Sequence, residues 1–281
     1  MHTEGVPSRG QELHSKVHCS VPRGLLQSAK QVEVMSRQPK ILMYHSVHRL
    51  AKDPNQLCTS PTRFEAQMLC LKQRGLRGVS MRELRRATSM RDLKGLVGLT
   101  FDDGYEDFLH TAVPVLERLD FSATVFVVAN MLGEESRWKS VHEPMPRLKV
   151  LGAEDLREIS ARGMEVGSHS MTHVSLSGLE PELLDREVND SRRVLSEALG
   201  ETVEGFSYPY GILDGAAVRA VQQAGYAYGC SVKGQVERSA YDLPRIPISE
   251  KDHLLRFKAK LRVYKLYSKI RSNYVSNSAL K

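Results

Sequence analysis

One segment indicates both the fold and the candidate site: Val97-Gly98-Leu99-Thr100-Phe101-Asp102-Asp103-Gly104, in which an apolar strand runs directly into two carboxylates and a glycine. Successive side chains on a strand point to opposite faces, so one aspartate can bind an ion while the other faces a substrate. Gly104 permits a sharp turn just after them. Taken alone, Asp-Asp-Gly is also typical of a surface turn, and both interpretations stay open at this point.

Strands that end in polar residues recur on both sides of this stretch, with helical patterns between them. The predicted strands are 41–44, 97–101, 123–128, 164–168, 205–208 and 226–232, and the predicted helices are 62–74, 106–119, 153–161, 181–200 and 214–223. Such alternation indicates parallel βαβ units, and about seven of them favour an α/β barrel over an open sheet. Every unusual polar cluster follows the carboxyl end of a strand, where these folds place their active sites.

Composition and cysteine usage limit the class of protein. Of 281 residues, 41% are hydrophobic, and no apolar run is long enough to span a bilayer. Residues 1–34 contain no apolar core segment, so we expect no signal peptide. We predict that residues 1–38 are a disordered extension and that the functional chain starts near Met35. The four cysteines form no C-x-x-C pair, which favours reduced thiols and a cytoplasmic location.

Positive charge is concentrated near the carboxyl terminus. The formal net charge is +7, and cations alternate with apolar residues from Lys251 to Arg271. We predict that 250–281 forms a basic amphipathic helix and tail. Residues 250–272 could contact an anionic membrane peripherally at its inner face, or pack their apolar side against the domain. No nucleic-acid partner is expected, since the chain has no zinc-finger spacing, RNA-binding aromatic motif or basic zipper.

A second polar motif supplies two imidazoles. His169-Ser170-Met171-Thr172-His173 directly follows the strand 164–168. On one helical turn, the i and i+4 spacing would bring both rings to the same face. Together with one carboxylate of the Asp102-Asp103 pair, these histidines form the ligand set expected for a hydrolytic Zn²⁺ with one position open for water, and Mn²⁺, Co²⁺ or Fe²⁺ would also fit.

With these motifs in order, the chain resembles the polysaccharide deacetylase family (carbohydrate esterase family four, with the nodulation-type deacetylase domain). The resemblance rests on 100–104, 169–173 and Ser207-Tyr208-Pro209-Tyr210-Gly211, and we assign 39–249 to this catalytic domain. It implies a distorted (β/α) barrel of about seven parallel strands in a single domain. The resemblance also implies that Asp102 is the general base and that Asp103, His169 and His173 are the metal ligands. It implies that Tyr210, flanked by Pro209 and Gly211, binds the oxyanion or substrate.

Two departures from the family pattern point to other residues. Many members carry an arginine that pairs with the base where this chain has Ser207, and Arg245 is a candidate replacement. Many members also carry a late Leu-x-His motif for the catalytic acid, which the strand 244–248 lacks. Leu42-Met43-Tyr44-His45 is close to that motif, as in the circularly permuted branch that acts on poly-N-acetylglucosamine. His45 is therefore the candidate acid, with an ordinary strand-end histidine as the alternative.

The resulting functional expectation is a metal-dependent hydrolase that removes N-acetyl groups from an amino-sugar polysaccharide, oligosaccharide or lipid-linked sugar. One alternative is a deformylase or other amidase on the same scaffold, acting on a lipid-linked or small substrate. Another is a non-catalytic carbohydrate- or membrane-binding protein, which the intact set of base and ligands disfavours. Trp138, the one tryptophan, either stacks on a sugar ring or packs under its own loop.

Overall fold

The computed structural model describes Met1 and residues 39–50, 53, 55–138, 147–232 and 239–262. Within these residues, one sheet contains nine strands, and every paired neighbour is parallel. The strands are β1 (Lys40–Tyr44), β2 (Arg77–Val79), β3 (Leu96–Phe101), β4 (Thr124–Val127), β5 (Glu165–Ser168), β6 (Gly205–Ser207), β7 (Tyr228–Ser231), β8 (Leu243–Pro244) and β9 (Ile246–Pro247).

Helices lie in the connections between these strands. They are α1 (Pro61–Gln73), α2 (Met81–Ser89), α3 (Val113–Arg118), α4 (Ala153–Ala161), α5 (Pro181–Asp185), α6 (Ser191–Leu199) and α7 (Gly215–Gln223). A π-helical turn precedes α3 at Phe108–Ala112, and another joins α5 to α6 at Arg186–Asp190. Short 3₁₀ turns occur at Ala129–Met131 and Pro209–Gly211, and residues 254–262 are helical. Across the described ranges, no helix has the length and apolar character needed to cross a membrane.

The two ends of the sheet meet at Arg245. The strand order is β8-β7-β6-β5-β4-β3-β1-β9, and only this one residue separates β8 from β9. β8 pairs with β7, and β9 pairs with β1, so one segment of chain bridges the two edges. Counted as one strand, that segment completes a ring of seven with β1 and β3 to β7, while β2 pairs with the start of β3. The predicted distorted barrel of about seven parallel strands is confirmed.

Large side chains fill the barrel where glycines leave room for them. A Cβ on Gly205 would lie 2.1 Å from the Tyr228 hydroxyl, and one on Gly167 would lie 2.5 Å from the Phe126 ring. The Tyr228 hydroxyl donates a hydrogen bond to buried Glu165 at the amino end of β5. Residues of α2 belong to the same buried hydrophobic cluster as Phe126 and Tyr228. The barrel is thus packed near the amino ends of its strands, and polar groups occupy its carboxyl end.

Predicted and observed elements differ at four points. β2 and α2 were not predicted, because β2 has only three residues and α2 is predominantly polar. The helices predicted over 106–119 and 181–200 are each interrupted by a π-helical turn, which spacing alone does not reveal.

The predicted carboxyl-terminal helix is described only as far as residue 262. Phe257 and Leu261 are buried in the main core, so this part packs its apolar side against the domain. Leu254 and Leu255 remain exposed at 40% and 75%. The rest of that helix and tail, and the predicted extension 1–38 apart from Met1, lie outside the described residues.

Candidate metal centre and active site

Both aspartates leave β3 buried, at the carboxyl end of the barrel. Asp102 is 3% and Asp103 is 2% exposed. Asp103 has a φ of 73° and Gly104 the same value, so the chain turns through the left-handed region directly after the strand. A Cβ on Gly104 would lie 2.8 Å from Val127 on β4, so a side chain there would collide with the barrel wall. The turn directs the two carboxyl groups to different partners.

The two histidines are brought together by a loop, and the predicted helical turn is wrong. Residues 169–173 have no helical assignment, and Ser170 and His173 have φ values of 66° and 62°. The Ser170 hydroxyl accepts a hydrogen bond from the His173 backbone N–H at 3.0 Å, which closes the loop. The two imidazole centroids are 4.9 Å apart. The i, i+4 spacing therefore identified the correct pair of histidines, although the backbone that joins them is not helical.

Asp103 lies between the two imidazoles. Its Oδ1 is 3.4 Å from Nε2 of His169 and 3.3 Å from Nε2 of His173. One ligand atom from each of the three residues lies within 4.8 Å of the others, the single cluster of this kind among the described residues. The Nδ1 of His169 contacts the Ser207 carbonyl at 2.8 Å, so Nδ1–H donates to it and Nε2 is left to bind an ion. This donor set of one carboxylate and two imidazoles fits a divalent transition metal or zinc.

The charges of this group stabilise one another despite burial. Burial would raise the pKa of the Asp103 carboxyl, but hydrogen bonds from His169 and His173 hold that pKa well below its usual value. Burial lowers the pKa of His173, and the adjacent carboxylate only partly offsets this effect. For His169, the neighbouring Asp102 and Asp103 outweigh burial and raise the pKa. A carboxylate held in its charged form is what an ion-binding site requires.

Asp102 is held by a buried arginine from the closing segment of the barrel. The Arg245 guanidinium donates from Nη1 to Oδ1 and from Nη2 to Oδ2, each at 2.7 Å. The same guanidinium donates to the Ser207 hydroxyl at 2.8 Å and to the Ser231 carbonyl at 3.2 Å. Burial would raise the pKa of Asp102, but the charge of Arg245 and nearby His169 outweigh it and lower that pKa. Arg245, named from the sequence as a candidate partner for Asp102, therefore contacts that carboxylate directly.

His45 lies beside both aspartates. Parallel pairing sets Tyr44 opposite Phe101, and the Asp102 N–H donates to the Tyr44 carbonyl at 3.0 Å, so His45 follows next to Asp102. Its positive form contributes to lowering the pKa of Asp102 and of Asp103. Its Nδ1 is buried and has no hydrogen-bond partner in the described part of the chain. An unpartnered imidazole nitrogen beside two carboxylates is an unusual feature that strand packing does not require.

Aromatic side chains form the wall around the second histidine. The Trp138 ring lies 4.8 Å from the His173 ring at an interplanar angle of 32°, and the Tyr210 ring lies 4.8 Å away at 67°. Tyr210 has a φ of 60° in the turn Pro209–Gly211 and is 37% exposed. A Cβ on Gly211 would lie 2.3 Å from Val232, which restricts that position to glycine. Trp138 thus packs onto a candidate ligand, partly buried.

Two carboxylates near the site were not singled out from the sequence. Asp107 accepts hydrogen bonds from the Ser46 hydroxyl at 2.5 Å and the Val47 N–H at 2.8 Å, next to His45. Glu187 accepts from the backbone N–H groups between the two histidines. Both follow ordinary helical patterns in sequence, so no local signal distinguishes them from surface acids.

Comparisons with known proteins agree with this geometry. The chain matches a family model described as polysaccharide deacetylase over residues 90–229, a range that contains both aspartates and both histidines. It is 27% identical over 214 residues to YxkH of Bacillus subtilis (strain 168), a protein named as a candidate polysaccharide deacetylase. The match covers 74% of this chain and 71% of YxkH. It is 24% identical over 221 residues to a poly-beta-1,6-N-acetyl-D-glucosamine N-deacetylase of Staphylococcus aureus (strain MRSA252), covering 73% of each protein.

Among solved structures, the fold is similar to that of the Streptococcus pyogenes deacetylase PplD in complex with acetate. The TM-score is 0.67 at 24% sequence identity, and the match covers 80% of this chain and 98% of the other.

Proposed function

Because this chain belongs to the polysaccharide deacetylase family and is a hydrolase acting on carbon–nitrogen bonds, we propose that it is a metal-dependent enzyme that removes N-acetyl groups from an amino-sugar polymer. The observation that carries this proposal is the pairing of two adjacent aspartates with different partners. Asp103 faces two histidines, while Asp102 is bound by Arg245. A single turn of the chain thus separates an ion-binding carboxylate from one available for proton transfer.

Asp102 acts as the general base in this proposal. Arg245 donates one hydrogen bond to each carboxylate oxygen and keeps the group ionised, and the Ser207 hydroxyl lies 3.3 Å from both oxygens. A carboxylate has about four lone-pair sites, so at least one remains to accept a proton. A divalent ion bound by Asp103, His169 and His173 would supply polarisation of the acetyl carbonyl and a lowered pKa for the attacking water. The proton of that water passes to Asp102 as its oxygen bonds to the carbonyl carbon.

The remaining steps use residues on the other side of the site. The Tyr210 backbone N–H is our candidate donor to the oxyanion of the tetrahedral intermediate. His45, in its protonated form, gives a proton to the sugar nitrogen as the carbon–nitrogen bond breaks. The products are acetate and a free amine on the sugar. The partly buried Trp138 beside His173 is our candidate for stacking on a sugar ring.

We favour a poly-N-acetylglucosamine as the substrate, since curated relatives with this activity match 73–82% of the chain. The direct experiment measures acetate release from β-1,6-linked poly-N-acetylglucosamine, chitooligosaccharides and a lipid-linked N-acetyl sugar, each with and without chelator. Formylated counterparts distinguish deacetylase from deformylase. Acetate release that chelator leaves unchanged would refute the metal-dependent part, and no release from any of these substrates would favour a non-catalytic role.

We also propose a peripheral contact with an anionic membrane from the cytoplasmic side. Leu254 and Leu255 are exposed at the start of the helical residues 254–262, and exposed Lys251 and Arg262 lie near them in sequence without a carboxylate partner among the described residues. Exposed leucines among cations suit an anionic lipid surface. Sedimentation with phosphatidylglycerol vesicles should be lost in Leu254→Gln/Leu255→Gln and weakened by salt. Equal sedimentation of variant and wild type would refute the contact.

A further inference from the structure

A buried carboxylate, that of Glu187, binds the loop that carries both candidate histidine ligands. Glu187 Oε2 accepts hydrogen bonds from the backbone N–H of Met171 at 3.0 Å and of Thr172 at 2.9 Å. Its Oε1 accepts from the Thr172 hydroxyl. The side chain reaches these groups from the π-helical turn Arg186–Asp190 and is 8% exposed. All three bonded groups lie between His169 and His173.

The backbone of this loop needs such support. Ser170 and His173 are non-glycine residues in the left-handed region, a strained conformation that persists only where the surroundings impose it. On one side, the carbonyls of Ser170 and Met171 accept from the N–H groups of Ala129 and Asn130, both at 3.1 Å. On the other side, Glu187 takes the N–H groups. Both carbonyl groups and N–H groups of the loop backbone are therefore hydrogen-bonded to neighbouring elements.

The helix bearing Glu187 is itself adapted to this contact. The π-helical turn Arg186–Asp190 inserts an extra residue between α5 and α6. Leu184 before it and Val188 within it are buried in the main core. Leu184 and Val188 face the core, and the extra residue of the π-helical turn places Glu187 on the side of the helix that faces the histidine loop. Burying a glutamate carboxylate costs desolvation free energy and adds no apolar contact to the core, so hydrogen bonds to the loop are needed to offset that cost.

We propose that Glu187 is a positioning residue for the metal site: it holds the 169–173 loop so that both Nε2 atoms face Asp103. This rests on the proposed metal-dependent function. Hydrogen bonds from backbone N–H groups to a carboxylate are stronger than neutral ones, so Glu187 can maintain a strained loop in the absence of an ion. The site is thereby formed before the metal binds, so none of the free energy of metal binding is spent on ordering the loop.

The test is Zn²⁺ binding by the chelator-treated full chain, measured by calorimetry with a competing chelator. Glu187→Ala removes all three contacts and should weaken Zn²⁺ binding about 10- to 100-fold, the range found when groups that orient metal ligands are removed. Glu187→Gln keeps the shape, since its amide oxygen can accept both N–H groups and its NH₂ can donate to Thr172. It should retain most of the affinity. Glu182→Ala, an exposed glutamate with no contact to the loop, is the matched control.

Thermal unfolding of the metal-free proteins separates positioning from a general loss of structure. We expect the order of affinity to be wild type, then Glu187→Gln, then Glu187→Ala, with near-ultraviolet circular dichroism retained in each. Wild-type Zn²⁺ affinity in Glu187→Ala would overturn the proposal. Should Glu187→Ala fail to fold, wild-type Zn²⁺ affinity of Glu187→Asp, whose carboxylate is one methylene shorter and so is withdrawn from the loop, would overturn it instead. A wild-type chain that binds no divalent ion would refute the proposed function itself.

Discussion

Replacing Arg245 by methionine tests how the barrel closure and the catalytic base depend on each other. The guanidinium is completely buried and makes two 2.7 Å hydrogen bonds to Asp102, which is itself 3% exposed. Methionine fills much of the same volume but leaves the carboxylate buried without its cation. Removing one partner of a buried ion pair costs about 3–5 kcal/mol. For a domain of this size, that corresponds to a fall in Tm of roughly 6–20 °C.

The dependence on pH gives the sharper signature. In the wild type, Arg245 holds the pKa of Asp102 in the folded protein below its pKa in the unfolded chain. The ion pair therefore stabilises the fold at any pH above the unfolded-state pKa. This stabilisation is lost as the pH falls through the folded-state pKa. Without the guanidinium, burial raises the pKa of Asp102, and the variant loses stability as pH rises through it. The difference in unfolding free energy should therefore be small near pH 3–4 and largest near pH 7–8.

The assay is urea unfolding of both proteins from pH 4 to pH 8, with acetate release measured at each pH. Arg193→Met is the control, because Arg193 is exposed and pairs with Asp190 and Glu197 on the surface, an arrangement worth about 0–1 kcal/mol. Arg245→Lys keeps the charge but lacks the planar fork and should fall between wild type and methionine. A loss no larger than that of the control, or one independent of pH, would refute the reasoning.

Three further outcomes are expected. His169→Ala should lower the bound metal, measured by elemental analysis, well below that of the wild type, and unchanged metal content would remove His169 from the ligand set. His45→Ala should reduce kcat about 10²- to 10⁴-fold with metal content unchanged; a change confined to KM would argue against proton donation. Gly205→Ala should destabilise by about 1–3 kcal/mol in urea unfolding, because the new Cβ would lie 2.1 Å from the Tyr228 hydroxyl. Gly215→Ala, whose Cβ would meet only a flexible arginine end at 3.2 Å, is its control and should be near neutral.

Local pattern in the sequence was sufficient for the class of fold and for the residues of the candidate site. The apolar runs 41–44, 97–101 and 164–168 each end in polar residues, and the carboxyl ends of parallel strands share one end of a barrel. Asp102, Asp103, His169 and His45 could therefore be assigned to one place from the amino-acid sequence alone. Their spacing reflects properties of the strand and its following turn, which act over a few residues.

Other features were settled only by contacts between distant parts of the chain. Arg245 meets Asp102 across 143 residues, and it does so because β8 and β9 pair with opposite edges of the sheet. The histidine spacing fits a helical turn equally well, and the left-handed loop is selected by Glu187 and the 129–131 turn. Nothing within 169–173 encodes those partners. Local sequence pattern is thus enough to place these side chains at one end of the barrel. Their orientation and charge depend on tertiary contacts, because Asp102 is held by Arg245 from the closing segment of the barrel and the histidine loop is held by Glu187 and the 129–131 turn.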